Sequence, residues 1–416
     1  MQSKDHSVHI KVDRKVNPIK ITLPSSKSIA NRALIINALS GNKGNLSRLS
    51  EARDTRTMLR LLSEEGETWD VLDAGTTMRF LTAFAAINGL SKTLTGTRRM
   101  LERPIGILVD ALLELGADIE YVGQHNFPPI RTGEFGEQKT DRLEVRGDIS
   151  SQYISALMMI APVLPDGLRI TLTHKIGSRP YINMTRAVMQ KFGVSSRWVN
   201  DHEIEIPHQP YRGTDYTIER DWSAASYWYS IMAISGEGKI LLNDLTDDSI
   251  QGDRVIADIM SSLGVQTDFT EEGAWLTPKR AEESVEVEFS DCPDLAQTVA
   301  VICAAKGIRC TMYGLESLRI KETDRIAALQ QELKKIGARL METRENEEWV
   351  LEPGPGNPVK DLHIDTYHDH RMAMAFAPLS WKYPLVIMDP QVVNKSYPGF
   401  WDDLMRAGAV ITSMSE

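Results

Sequence analysis

RPIGILVDALLELGADIEYV (Arg103–Val122) is echoed by RPYINMTRAVMQKFGVSSRWV (Arg179–Val199), GDRVIADIMSSLGVQTDF (Gly252–Phe269) and TDRIAALQQELKKIGARLMET (Thr323–Thr343). Each stretch opens with Arg or Asp beside a helix-start signal and spaces its apolar residues at i, i+3 and i+4. Each then ends in Gly followed by a short strand-like run, and that Gly suits the left-handed cap of a helix. RDTRTMLRLLSEEGETWDVL (Arg53–Leu72) reads as a weaker copy and WDDLMRAGAVITSM (Trp401–Met414) as a truncated one.

A second helix family alternates with the first: ANRALIINALSG, MRFLTAFAAINGL, ISALMMIAPVLPDGL, AASYWYSIMAISGEG, LAQTVAVICAAKG and HRMAMAFAPLSWKYP. These are apolar on most faces and belong in a core. The repeating unit is therefore buried helix, strand, amphipathic helix, then strands, at a period of about 70 residues. Six such units account for the chain and group as three plus three into two similar α/β domains. Pro24 and Arg220–Asp221 mark the crossings, so residues 1–23 plus 221–416 form one discontinuous domain and 24–220 the other. The plainer reading is that helix–Gly–strand echoes recur in any α/β protein.

The chain has 416 residues, of which 42% are hydrophobic, and a net charge of −10. That charge repels nucleic acid and anionic membranes, so any site for an anion must be a local cluster of Lys and Arg. MQSKDHSVHIKV has no apolar leader core, and no run reaches the roughly 18 apolar residues of a membrane span. Cys292, Cys303 and Cys310 lack a framework spacing and read as reduced thiols of a cytoplasmic enzyme.

The starts of the buried helices are charged where bland caps would suffice. PSSKSIANRAL carries Lys27, Ser28 and Arg32, LDAGTTMRFL carries Gly75 and Arg79, and GDISSQYISAL carries Ser150, Ser151 and Gln152. CPDLAQTVA brings Asp294, and YHDHRMAMAF brings His370 and Arg371. A cation in the first turn opposes the helix dipole, and Arg32, Arg79 and Arg371 repeat this in register. The repetition predicts a compensating anion such as phosphate or carboxylate at these helix starts. The amphipathic copies add Arg98, Arg99 and Arg103 in TRRMLERP and Lys175, Ser178, Arg179 and Tyr181 in KIGSRPYI. Lys395 lies in the loop VVNKSYPGF. His363, Asp365, His368 and His370 in HIDTYHDHR offer metal-ligand types without a separated third ligand, so no metal is expected. Walker A and GxGxxG patterns are absent.

Taken together, LPSSKSIANRAL, DAGTTMRFL, RRMLERPI, SSQYISALMM, SRPYI, PDLAQT, RIKETDR, YHDHRMAMAF and NKSYPGFW resemble, in order, the 5-enolpyruvylshikimate-3-phosphate synthase family. The resemblance implies two domains, each of three βαβαββ units around buried parallel helices, with the active site in the cleft between them. It implies transfer of the enolpyruvyl group of phosphoenolpyruvate (PEP) to the 5-hydroxyl of shikimate 3-phosphate, releasing phosphate, in the route to chorismate and aromatic amino acids. No cofactor, metal, nucleic acid or membrane partner is implied, and the chain is expected to act as a monomer.

By the same resemblance, Lys27, Ser28, Arg32, Ser150, Ser151, Gln152, Ser178, Tyr181, Asp294, Ser317 and Lys321 bind shikimate 3-phosphate. Lys27, Asp73, Gly75, Arg79, Arg99, Gln152, Arg325, Arg371 and Lys395 serve PEP. Asp294 is the proton acceptor, Glu322 the acid that protonates C3, and Lys27 an electrostatic catalyst. Asp73 and Ser317 stand where many relatives have Asn, Ser25 where Gly is usual, and Phe80 where several have Pro. The competing functions are an inactive anion-binding protein on the same fold and an enolpyruvyl transferase for UDP-N-acetylglucosamine.

Overall fold

The computed structural model describes residues 7–12, 18–356 and 358–414. The first six residues, which carry part of the leader reading, lie outside them. The chain divides into two compact units, one of the described residues of Met1–Pro24 and Arg220–Glu416, the other Ser25–Glu219.

In Ser25–Glu219 the repeat resolves into strand, helix, parallel strand, helix and an antiparallel pair. Strand Thr68–Asp70 leads through helix Gly75–Ile87 to strand Lys92–Thr95, then through helix Gly106–Leu115 to strands Ala117–Tyr121 and Ile130–Phe135. Arg142–Arg146, helix Ser151–Ile160, Leu168–Thr173, helix Arg179–Lys191, Arg197–Asn200 and Glu203–Ile206 repeat the plan. The third unit is reduced: helices Lys27–Leu39 and Arg53–Leu62 accompany only the parallel strand pair Leu46–Ser47 and Tyr216–Thr217. The weak copy at Arg53 is thus the one without a closing strand pair among the described residues.

The other unit holds three complete repeats. Their inner helices are Trp222–Ser235, Ala296–Lys306 and His370–Phe376, and each serves a four-stranded sheet. The copy that reads as truncated is completed by the opposite end of the chain. Strand Ser7–Val12 runs antiparallel to both Leu385–Met388 and Ala409–Met414, filling the place between them. Alternation in that strand turns Val8 and Ile10 to the core, together with Trp228, Phe376 and Phe400.

The inner helices are buried because their sequence is apolar all round, and Trp222–Ser235 buries Trp222, Tyr227, Trp228 and Tyr229 together. The outer helices end as their glycines dictate. Gly116 and Gly264 sit at φ 105° and 99°, where a side chain would strain the backbone. Each turn hands the chain directly to a strand, which fixes where the next inner helix begins.

Ile10 is fully buried in the strand that completes its sheet. Ile10→Ala is expected to cost about 3 kcal/mol, read as a lower urea midpoint with unchanged slope.

Candidate functional site

In the unit that contains Arg220–Glu416, three segment starts present the predicted residues. Asp294 lies in the turn Pro293–Leu295 that leads into helix Ala296–Lys306. Arg325 is the first residue of helix Arg325–Lys334, set there because the Asp324 carboxylate caps the Ala327 N–H at 3.0 Å. Asp369 caps helix His370–Phe376 by accepting from the Arg371 N–H at 2.9 Å. Local capping chemistry therefore aims Arg325 and Arg371 from the first turns of two helices.

Arg325 is 1% exposed and donates to Asp369 at 2.6 Å, to Asp294 at 2.9 Å and to Glu322 at 2.9 Å. Arg371 donates to the other Asp294 oxygen at 2.7 Å and to the Asp294 carbonyl at 3.2 Å. Burial by itself pushes the Asp294 carboxyl up, but Arg371, Arg325 and Lys321 outweigh it and hold the group well below the ordinary range, with Glu322 opposing them. Burial likewise works to lower Arg325, and Asp369, Glu322 and Asp294 raise it instead. The expectation of an external anion for Arg371 is met here by a carboxylate of the chain itself. Lys395 is buried at the end of the turn Pro390–Lys395, and Ser317 is half-buried in the turn Glu316–Ile320.

Asp253 is a residue that the motifs did not single out. It is 3% exposed, takes a hydrogen bond from Ser223 Oγ on Oδ2, and leaves Oδ1 buried with no hydrogen-bond partner. Burial first, then the charges of Asp294 and Asp221, push its carboxyl up to about 7 against the pull of Arg371 and Ser223. Asp253 starts one of the repeated helices, GDRVIADI, and its chemistry becomes visible only once Ser223 and Asp294 surround it.

In Ser25–Glu219 the cations meet different partners. Lys27 opens its helix and donates to Asp54 at 3.0 Å. Arg32, one turn later, is buried and donates to Thr185 Oγ1, Ser155 Oγ and the Ser28 carbonyl at 2.7, 2.9 and 2.9 Å. Burial lowers its pKa to about 10, and its ring neighbours are Phe80 and Tyr181 at 5.4 and 5.9 Å. Arg32 is thus a buried cation held by three elements of this unit. Arg79 donates to the Gly75 and Pro104 carbonyls at 3.2 and 2.9 Å, so it ties the Gly75 helix start to the segment that carries Arg103.

A Cβ at Gly75 would lie 2.5 Å from Arg103 Nη1, so the Arg103 guanidinium rests directly against this glycine. Arg103 is therefore the guanidinium against this helix start, whereas Arg99 is half-exposed and pairs with Glu102 at 3.4 Å. Both arginines belong to RRMLERP, and the motif by itself does not say which one turns inward. Gln152 donates to Thr76 Oγ1 at 3.1 Å, while Ser150 caps the helix that begins at Ser151. Ser178, at φ 56°, begins the helix that carries Tyr181. Asp73 accepts from Arg53. The histidine-rich stretch is dispersed: Asp365 binds Lys335, His368 faces Asp389, and His370 is buried. Among the described residues no group of three or more His, Cys, Asp or Glu is placed to hold a metal.

Residues 62–404 match the model of the family described as EPSP synthase (3-phosphoshikimate 1-carboxyvinyltransferase). The chain belongs to the EPSP synthase family. It is 49% identical over 393 residues to a 3-phosphoshikimate 1-carboxyvinyltransferase of Bacteroides fragilis, covering 93% of this chain and 95% of that one. The enzyme of the same name from Neisseria meningitidis is 35% identical over 425 residues, with 95% and 97% covered. The fold is that of EPSP synthase from Acinetobacter baumannii, with a TM-score of 0.77 at 18% identity over 98% of this chain and 100% of that one. It is shared with the enolpyruvyl transferase NikO from Streptomyces tendae, with a TM-score of 0.74 at 12% identity over 99% and 100%.

The two carboxyls shifted in opposite directions give opposite stability signatures. Asp253 ionises later in the folded chain than in the unfolded one, so stability falls as pH rises from about 4 to about 7. Asp253→Asn removes that penalty and is expected to raise the thermal midpoint at pH 8 by a few degrees while changing little at pH 4. Asp294 is depressed, so its contribution is present above about pH 4 and is lost as pH falls further. Asp294→Asn is expected to lower the midpoint at pH 8, and calorimetry at the two pH values reads both effects.

Proposed function

We propose that this chain transfers the enolpyruvyl group of PEP to the 5-hydroxyl of shikimate 3-phosphate and releases phosphate, with the charged residues of both units acting on the same two substrates. The observation that carries the reading is Arg325, one buried guanidinium joined to both Asp294 and Glu322. The reaction needs one group to take the 5-hydroxyl proton as oxygen attacks C2 and another to give a proton to C3. These two carboxylates, placed on one arginine, supply both roles.

Asp294 is held ionised by Arg371, Arg325 and Lys321, which makes it ready to accept but weakly basic. A substrate anion that engages those same cations draws their charge away from Asp294. Its basicity then rises when the substrates are in place, which ties proton transfer to binding. Arg371 and Arg325 offer planar forks suited to the carboxylate and phosphate of PEP. In Ser25–Glu219, Lys27 and Arg103 supply positive charge, and Ser150, Ser151, Gln152 and Ser178 supply polar groups for the ring substituents of shikimate 3-phosphate. Lys27 stabilises the charge of the phosphate-bearing tetrahedral intermediate. We assign no step to a metal or cofactor.

The chain is proposed to act as a cytoplasmic monomer; no helix among the described residues is long and apolar enough to cross a membrane. The UDP-N-acetylglucosamine alternative calls for a reactive loop cysteine. All three cysteines here are buried, and burial pushes the Cys292 thiol up, away from reactivity.

Phosphate release with both substrates tests the reading. Wild type is expected to release phosphate only when both are present, and Glu322→Gln and Asp294→Asn each to lose at least about 100-fold in kcat. Folded wild-type protein that binds either anion without turnover would support the inactive binding protein instead.

A further inference from the structure

We propose that the Arg53–Asp73 ion pair is a charge-compensating device that sets how tightly the helix start at Gly75 holds PEP, with Arg53 a positioning residue that acts through Asp73. This rests on the reaction proposed above.

Asp73 stands two residues before Gly75, so its Cα lies within about 7 Å of the glycine. The helix Gly75–Ile87 opens on Ala74 with no side-chain cap, and Arg103 lies against Gly75. An ionised carboxylate at that distance opposes a ligand that carries a phosphate and a carboxylate of its own. Arg53 meets this charge, donating from Nη2 to both Asp73 oxygens at 2.7 and 2.8 Å.

The geometry around Arg53 is built rather than incidental. Arg53 is the first residue of helix Arg53–Leu62, and the next residue, Asp54, is buried and accepts from Lys27 at 3.0 Å. Thr77, in the first turn of the Gly75 helix, donates to the Asp54 carbonyl at 3.3 Å, so the two helix starts are fastened together. Adjacent residues of one helix start thus do opposite work: Asp54 holds the cation Lys27, and Arg53 masks the anion Asp73. The pair is partly exposed, at 45% and 31% of the two side chains, so its influence is subject to screening by salt.

An ordinary surface ion pair adds little to stability and nothing to ligand affinity. Phosphate release measured with PEP varied at saturating shikimate 3-phosphate separates the two cases, alongside calorimetric binding of PEP in the presence of shikimate 3-phosphate. Arg53→Ala is expected to raise the KM and Kd for PEP roughly five- to tenfold at low ionic strength and less in high salt, leaving the KM for shikimate 3-phosphate unchanged. The double variant Arg53→Ala, Asp73→Asn is expected to return both constants to about the wild-type values. Constants for Arg53→Ala equal to wild type would overturn the proposal. So would a double variant as weak as Arg53→Ala, because Arg53 would then be acting on the ligand directly. If wild type releases no phosphate, the proposed reaction falls, and the calorimetric comparison of the same three proteins still decides this proposal. Wild type that neither turns over nor binds PEP overturns both.

Discussion

The buried guanidinium of Arg325 constrains everything around it. A fully desolvated arginine is tolerable only when its donors are matched, and this one meets Asp294, Glu322 and Asp369. Two of those carboxylates are the proposed proton carriers, and the third caps the helix that aims Arg371. Moving Arg325 would therefore disturb the proton chemistry and the orientation of the second arginine together. The charges also nearly close: Arg325, Arg371 and Lys321 stand against Asp294, Glu322 and Asp369. Asp253 stands outside that balance, and burial first, then the charge of Asp294, pushes its carboxyl up to about 7.

The other unit solves the same problem with neutral acceptors. Arg32 donates to hydroxyls and a backbone carbonyl, and Arg79 donates to carbonyls and the Met100 sulfur. Hydrogen bonding satisfies the donors without cancelling the charge, so burial lowers Arg32 toward about 10 while leaving it cationic at neutral pH. A chain with a net charge of −10 thus keeps positive potential where its helix starts are crowded. Such local charge attracts polyanions against the sign of the whole surface.

The six-fold repeat was legible in the sequence because burial imposes a period on hydrophobicity, and left-handed caps such as Gly116 and Gly264 punctuate it. The closing of the last sheet by Ser7–Val12 was not, since β pairing joins residues from opposite ends of the chain and leaves no local mark beyond alternation. The closing strand pair that the Arg53 copy lacks among the described residues showed only as a weak echo of the repeat. At the candidate site, residue types were readable and directions were not. Arg99 and Arg103 are four apart in one motif, and the close approach at Gly75 selects the second. Arg32 kept the motif's spacing but turned inward, because Ser155 and Thr185 from two other helices reach it. Asp253 required three-dimensional neighbours before its chemistry could be seen at all.

Arginine in the first turn of a helix is unfavourable when the helix is taken alone. Arg371 is such a residue, whereas the expected first-turn placement fails for Arg32 and Arg79, which lie one turn inside helices Lys27–Leu39 and Gly75–Ile87. At Arg371 the offset is internal, through the Asp369 cap and Asp294, so the cation is held in place with its charge already shared. At Arg32 the donors are met by hydroxyls and a backbone carbonyl, and the group stays cationic. In the reaction proposed above, a substrate anion would compete with the carboxylates at Arg371 and Arg325 and so raise the basicity of Asp294. Proton transfer in the proposed reaction is thereby tied to the arginine–carboxylate pairing that holds Asp294 ionised.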